Sequence, residues 1–141
     1  MNEIVEYRRG RSAVISPHAH LVFVTKYRRR VLSERAHRIL CEDFKRVCHV
    51  LGILLMEVNG EEDHVHLLVQ YLPTLKLSVL VGRLKGSSSR RLRKDCFPEV
   101  TSKLWGGHLW SPSYFATSCG GAPIAIVKQY IESQRRASTR P

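Results

Sequence analysis

A chain of 141 residues with 43% hydrophobic composition is long enough to bury one full core and too short to suggest two domains. Its 23 Lys and Arg against 12 Asp and Glu leave a formal net charge of +11, which points to a polyanionic partner, nucleic acid first and an anionic membrane surface second. No apolar run approaches the ~20 residues of a bilayer span. The start of the chain, with Glu3, Glu6, Arg8, Arg9 and Arg11, lacks the apolar core of a signal peptide, so a cytoplasmic location is expected and a membrane partner is not.

Residues 1–17, mixed and basic with Gly10 and Pro17, read as an N-terminal arm. His20 to Tyr27 is rich in Val, Phe and Thr and reads as a strand running into the basic cluster Lys26, Tyr27, Arg28, Arg29, Arg30. Ser33 is suited to cap a helix whose apolar face carries Ala36, Ile39, Leu40, Phe44, Val47 and Leu51, and Gly52 is placed to end it. Cys41 and Cys48 fall on that helix beside His49. The four cysteines, Cys96 and Cys119 included, contain no Cys-x-x-Cys pair and read as reduced thiols packed as small hydrophobes, in preference to zinc ligands.

Ile53 to Val58 reads as a second strand, Asn59 and Gly60 as a reversing turn, and Asp63 to Tyr71 as the returning strand. After Pro73, the positions Leu77, Leu80, Val81, Leu84 and Leu92 mark a second amphipathic helix, with Arg83, Lys85, Arg90, Arg91, Arg93 and Lys94 on its outer side and Gly86 allowing a bend or a close approach. Leu104 to Cys119 holds Trp105, Trp110, Tyr114 and Phe115 between Gly106, Gly107 and Pro112, and suggests a strand pair. Gly120 and Gly121 then form a joint before an amphipathic helix from Pro123 to Arg136. This order fits an α+β domain with helices packed on an antiparallel sheet, in the split βαβ or ferredoxin-like style, spanning residues 18–136 with a short tail at 137–141.

Chemistry concentrates in two places. His64 and His66 lie two apart on a strand, so their imidazoles share a face, a metal-ligand pair in want of a third donor; the plainer alternative is a half-exposed strand with polar outward positions. Tyr130 and Gln134 lie four apart on the last helix, which stacks a phenol beside an amide oxygen; the plainer alternative there is a core or rim aromatic. Asp63 is a candidate to orient a histidine from behind, although alternation along a strand argues against direct contact with its neighbour. Lys128 is off the Tyr130 face.

Taken in order, Asn59, Gly60, Asp63 to Val69, Leu84, Lys85, Gly86, Ser88 to Arg90, Leu104 to Gly107, Trp110 to Pro112, Tyr114, Phe115 and Lys128 to Gln134 resemble the small single-tyrosine HUH transposases. These are the TnpA-type enzymes of minimal insertion sequences that move as single-stranded DNA, and the likeness runs from about His20 to Gln134. The resemblance implies cleavage and rejoining of single-stranded DNA at ends marked by imperfect hairpins. It makes Tyr130 the nucleophile of a 5′-phosphotyrosine link, and His64, His66 and Gln134 the protein ligands of a divalent ion. It also implies a homodimer whose active sites can be shared between subunits.

Imidazole and amide ligands leave Mg²⁺ or Mn²⁺ as the expected ion. A phosphotyrosine link conserves the energy of the broken phosphodiester, so no ATP site is needed, and no glycine-rich phosphate loop is present. Lys26, Arg28, Lys85, Arg90 and Arg91 are the expected contacts to the DNA backbone, while Trp105, Trp110 and Tyr114 are either stacking platforms or core. Three alternatives stay open: a non-catalytic nucleic-acid-binding module, weakened by the absence of an RRM signature; a two-histidine phosphoesterase, weakened by the single His-x-His triplet; and a domesticated relative that processes dispersed palindromic repeats.

Overall fold

A computed structural model describes residues 18–70, 74–96, 100–104, 108–118 and 131–133. Its elements run β1 (His18–Val24), a 3₁₀ turn (Lys26–Arg28), α1 (Glu34–Leu51), β2 (Leu54–Glu61), β3 (His64–Gln70), α2 (Leu77–Asp95), a second 3₁₀ turn (Thr101–Lys103) and β4 (Phe115–Ser118). The four strands form one antiparallel sheet in the order β2-β3-β1-β4, which is the α+β, split βαβ arrangement expected.

Local chemistry explains the borders of α1. The Ser33 side chain accepts a hydrogen bond from the Ala36 amide at 3.1 Å, occupying a donor that the first helical turn leaves orphaned. At the other end Gly52 takes a left-handed conformation, φ 74°, and its amide bonds back to Cys48 and His49 carbonyls. α1 and α2 pack together and cover one face of the sheet. Ala19, Leu21 and Phe23 from β1 and Val65, Leu67 and Val69 from β3 meet Leu40, Phe44, Leu80 and Leu84 there. Trp110 joins this core edge-on to Phe23 and donates from its indole nitrogen to Ser88 Oγ at 3.0 Å, so it is a packing residue. Cys48 and Cys96 are buried in the same core, and Cys41 is half-buried.

Residues of opposite parity point to the other face, where Val22 and Val24 form a small separate cluster with Phe115 and Ile131. Two expectations need correction. The hairpin does not turn at Asn59 and Gly60, which pair with His66 and Val65 inside the ladder; it turns at Glu62 and Asp63. The segment from Leu104 to Cys119 supplies, among the described residues, one strand and an isolated bridge between Thr25 and Trp110, because the backbone of Ser111 is taken up by Val24. Among the described residues no helix is long and apolar enough to cross a membrane.

Candidate functional site

The register between β1 and β3 sets the positions of the histidines, since Val24 lies opposite His64 and Val22 opposite His66. The end of this ladder is pinned from several sides. The Thr25 amide donates to the Asp63 carbonyl at 2.9 Å, the Leu32 amide donates to the Glu62 carbonyl at 2.9 Å, and His37 on α1 donates to the Glu61 carbonyl at 2.5 Å. Gly60 is needed here for space: a Cβ would stand 2.4 Å from the His64 carbonyl oxygen and 2.8 Å from His37 Cε1.

His64 and His66 do share a face, with ring centroids 5.0 Å apart and planes at 81°. A third imidazole, which the strand reading did not single out, completes the group: His20 of β1 stacks on His66 with centroids 5.4 Å apart and planes at 21°. The sequence signal for it was the parity of His18 and His20 with Val22 and Val24, readable only once β1 is paired with β3.

Asp63 touches His64 directly, contrary to the alternation argument, because Asp63 belongs to the turn and β3 begins one residue later. His64 Nδ1 donates to Asp63 Oδ1 at 2.8 Å, so that in the neutral ring the lone pair lies on Nε2. The second oxygen, Oδ2, accepts from Arg28 Nε at 2.6 Å. Burial pushes the Asp63 carboxyl upward, but the hydrogen bonds from His64 and Arg28 prevail and hold it below its ordinary range, so it is an anion at neutral pH. Burial, reinforced by repulsion from His64 and His20, lowers His66 to about 4. His20 is lowered too, again by burial, with Glu57 opposing.

His66 is thus a neutral donor at neutral pH, and His64 is held by a carboxylate from behind; both properties suit ligands of a divalent cation. Among the described residues no group of three or more His, Cys, Asp or Glu is arranged to hold a metal. Tyr130 and Gln134, the expected nucleophile and third ligand, lie outside the described residues. The three residues between them are helical, and Ile131 packs with Val22, Val24 and Phe115, on the sheet face that carries the histidines.

The five basic residues expected to meet DNA divide by environment. Arg28 is turned inward to Asp63, with its side chain 14% exposed. Arg91 is bonded to Asp95 and Glu42. Lys85 donates to the carbonyls of Ser111 and Ser113 and lies over the Phe23 and Tyr114 rings, and burial lowers its ammonium below the usual lysine range. Lys26 lies beside the Tyr27 ring. Arg90 is exposed, on a groove of α1 and α2 that Arg46 and Arg83 also line. Trp105 is outside the described residues.

Residues 13–134 match the family described as Transposase IS200 like. The chain is 34% identical over 130 residues to the ISDra2 transposase TnpA of Deinococcus radiodurans, covering 92% of each protein. It is 28% identical over 115 residues to the transposase for insertion sequence element IS200 of Salmonella typhimurium, covering 82% of this chain and 74% of that one. Among solved structures, a candidate transposase from Deinococcus radiodurans superposes with a TM-score of 0.78 at 34% identity, over 89% of this chain and 96% of that one. A REP-associated tyrosine transposase bound to a REP hairpin shares the fold, with a TM-score of 0.53 at 12% identity over 84% of this chain and 61% of that one. The chain belongs to the IS200-like transposase family.

Proposed function

We propose that this transposase cleaves and rejoins single-stranded DNA at hairpin-marked ends, through a 5′-phosphotyrosine link on Tyr130 and with a divalent ion, Mg²⁺ or Mn²⁺, held by His64, His66 and Gln134. The observation that carries this reading is the seat of Ile131 on the face of the histidine pair, since Ile131 follows Tyr130 in the chain and precedes Gln134 by three residues. The homodimer with shared sites belongs to the same proposal.

Each part of the chain has a task in such a reaction. His66 presents a neutral nitrogen and His64 would bind through Nε2 of its ring once that nitrogen carries no proton, so a bound cation would keep its full charge, polarise the scissile phosphate and orient it. The Tyr130 oxygen attacks phosphorus and forms the new P–O bond. The bond to the 3′ oxygen breaks, its electron pair leaves with that oxygen, and the proton lost from the phenol returns to it through solvent. Rejoining is the reverse, with a 3′ hydroxyl as nucleophile and the phenol as leaving group, which is why no outside energy source is required. The exposed cations, Arg90 among them, hold the DNA backbone by charge.

The test is a cleavage assay on hairpin-bearing single-stranded DNA with Mn²⁺. The wild-type protein leaves a covalent protein–DNA adduct and Tyr130→Phe leaves none; adduct from Tyr130→Phe would remove the assigned nucleophile. Mixing Tyr130→Phe with His64→Ala protein restores cleavage if subunits share sites.

A further inference from the structure

We propose that Arg28 is a positioning residue for the histidine pair, acting through Asp63 to fix the orientation and the tautomer of His64. The inference rests on the reading of His64 as a metal ligand only for its consequence; the geometry stands without it. β1 ends at Val24, and the chain then turns sharply, with Tyr27 at φ 58° and Arg28 at φ 51°. Two successive residues other than glycine in the left-handed region are unfavourable, and they persist only where surrounding contacts over-determine them. Those contacts are present: Thr25 Oγ1 donates to the Arg29 carbonyl at 2.7 Å, the Arg28 amide donates to the Thr25 carbonyl at 2.9 Å, and the Thr25 amide is tied to Asp63.

What this turn achieves is the inward aim of Arg28. Its Nε donates to Asp63 Oδ2 at 2.6 Å while Oδ1 of the same carboxylate receives His64 Nδ1 at 2.8 Å, so one carboxylate is gripped on both sides. The side chains of Arg28 and Asp63 are only 14% and 11% exposed, which removes this guanidinium from the set available to a DNA backbone. Nor does stability account for it. Arg28 Nη1 is buried with no hydrogen-bond partner among the described residues, and buried ion pairs replaced by apolar residues of similar volume are often no less stable. A strained turn, a desolvated charge and an unsatisfied nitrogen are tolerated together where they hold a functional group in place. Here that group is the Asp63 carboxylate, without which His64 would be free to exchange Nδ1–H for Nε2–H and to rotate about χ2.

The decisive experiment reads His64 itself, in metal-free ¹⁵N-labelled protein at a pH high enough that its ring carries one proton, by long-range ¹H–¹⁵N correlation of the ring nitrogens. Wild-type protein shows protonated Nδ1 and unprotonated Nε2. Arg28→Met gives a mixture of tautomers with the backbone amide spectrum of the folded protein retained, and its affinity for Mn²⁺ falls by about 10–100-fold. If Arg28→Met does not fold, Arg28→Lys keeps the charge and bulk without a donor at the Nε position, and the same mixture is expected. A folded variant at position 28 that keeps the single Nδ1–H form overturns the proposal. Failure of the metal reading looks different: wild type and His64→Ala then take up Mn²⁺ equally weakly, while the tautomer comparison still decides the role of Arg28.

Discussion

Gly60→Ala is the substitution whose cost can be worked most directly from the geometry. An alanine Cβ at this position lies 2.4 Å from the His64 carbonyl oxygen, 2.8 Å from His37 Cε1 and 2.9 Å from Val65 Cα, whereas ordinary contact begins at 3.4 Å. The His64 oxygen must therefore retreat by 3.4 − 2.4 = 1.0 Å, and it is backbone in a paired strand, not the end of a flexible side chain. Overpacking of this kind costs ~1–3 kcal/mol. Removing a glycine from the unfolded chain returns ~0.4–1 kcal/mol. With two of three clashes on backbone, a net loss of roughly 2 kcal/mol is expected, and a shift of about 1 Å at His64 should lower DNA cleavage about 100-fold.

Gly82→Ala is the matched control. It lies inside α2, nothing stands within 4 Å of the added Cβ, and it should gain ~0.5–1 kcal/mol from helix propensity alone. Urea unfolding followed by circular dichroism, beside a single-strand cleavage assay, compares the two. Equal stability of the two variants, or undiminished cleavage by Gly60→Ala, would refute the close-approach account of Gly60.

Ser33→Ala removes the side-chain acceptor of the Ala36 amide and should cost ~1 kcal/mol, read as a lower melting temperature. Burial pushes the Cys48 thiol from 9.0 up to about 11. Above pH 9 the unfolded chain releases a proton that the folded chain keeps, so this contribution is complete below that value and is lost as pH rises towards 11, in all by about 2–3 kcal/mol. The difference between wild type and Cys48→Ala in urea titrations across that range should show it. Arg90→Gln should reduce the slope of log affinity for single-stranded DNA against log salt by about 1. Arg91→Gln, whose guanidinium serves Asp95 and Glu42, should leave that slope in place and lower stability by ~0.5–1 kcal/mol.

What could be read from the chain follows the range of the interactions involved. α1 is set by Ser33, Gly52 and a 3.6-residue apolar period, all local, and it was legible to the residue. The shared face of His64 and His66 follows from strand parity and was legible too. The turn was misplaced because Asn59 and Gly60 have the composition of a tight hairpin turn, while Gly60 is required for a contact with His37 on another element. Arg28 read as one more cation in a basic cluster; its partner is 35 residues away, and no local pattern reports such a pairing. His20 was passed over for the same reason, since its stacking on His66 exists only across the β1–β3 ladder.

Because β3 is hydrogen-bonded to β2 on one side and β1 on the other, the two imidazoles share a backbone with Val65, Leu67 and Val69, which are fully buried under the helices. Freeing the imidazoles would mean breaking two ladders and opening the apolar interior, so the amides of His64 and His66 should exchange with deuterium only as fast as the whole domain unfolds. A core lesion in this enzyme would then shrink the number of competent molecules in a preparation while each survivor turned over at the normal rate, and titration of active centres would tell the two apart.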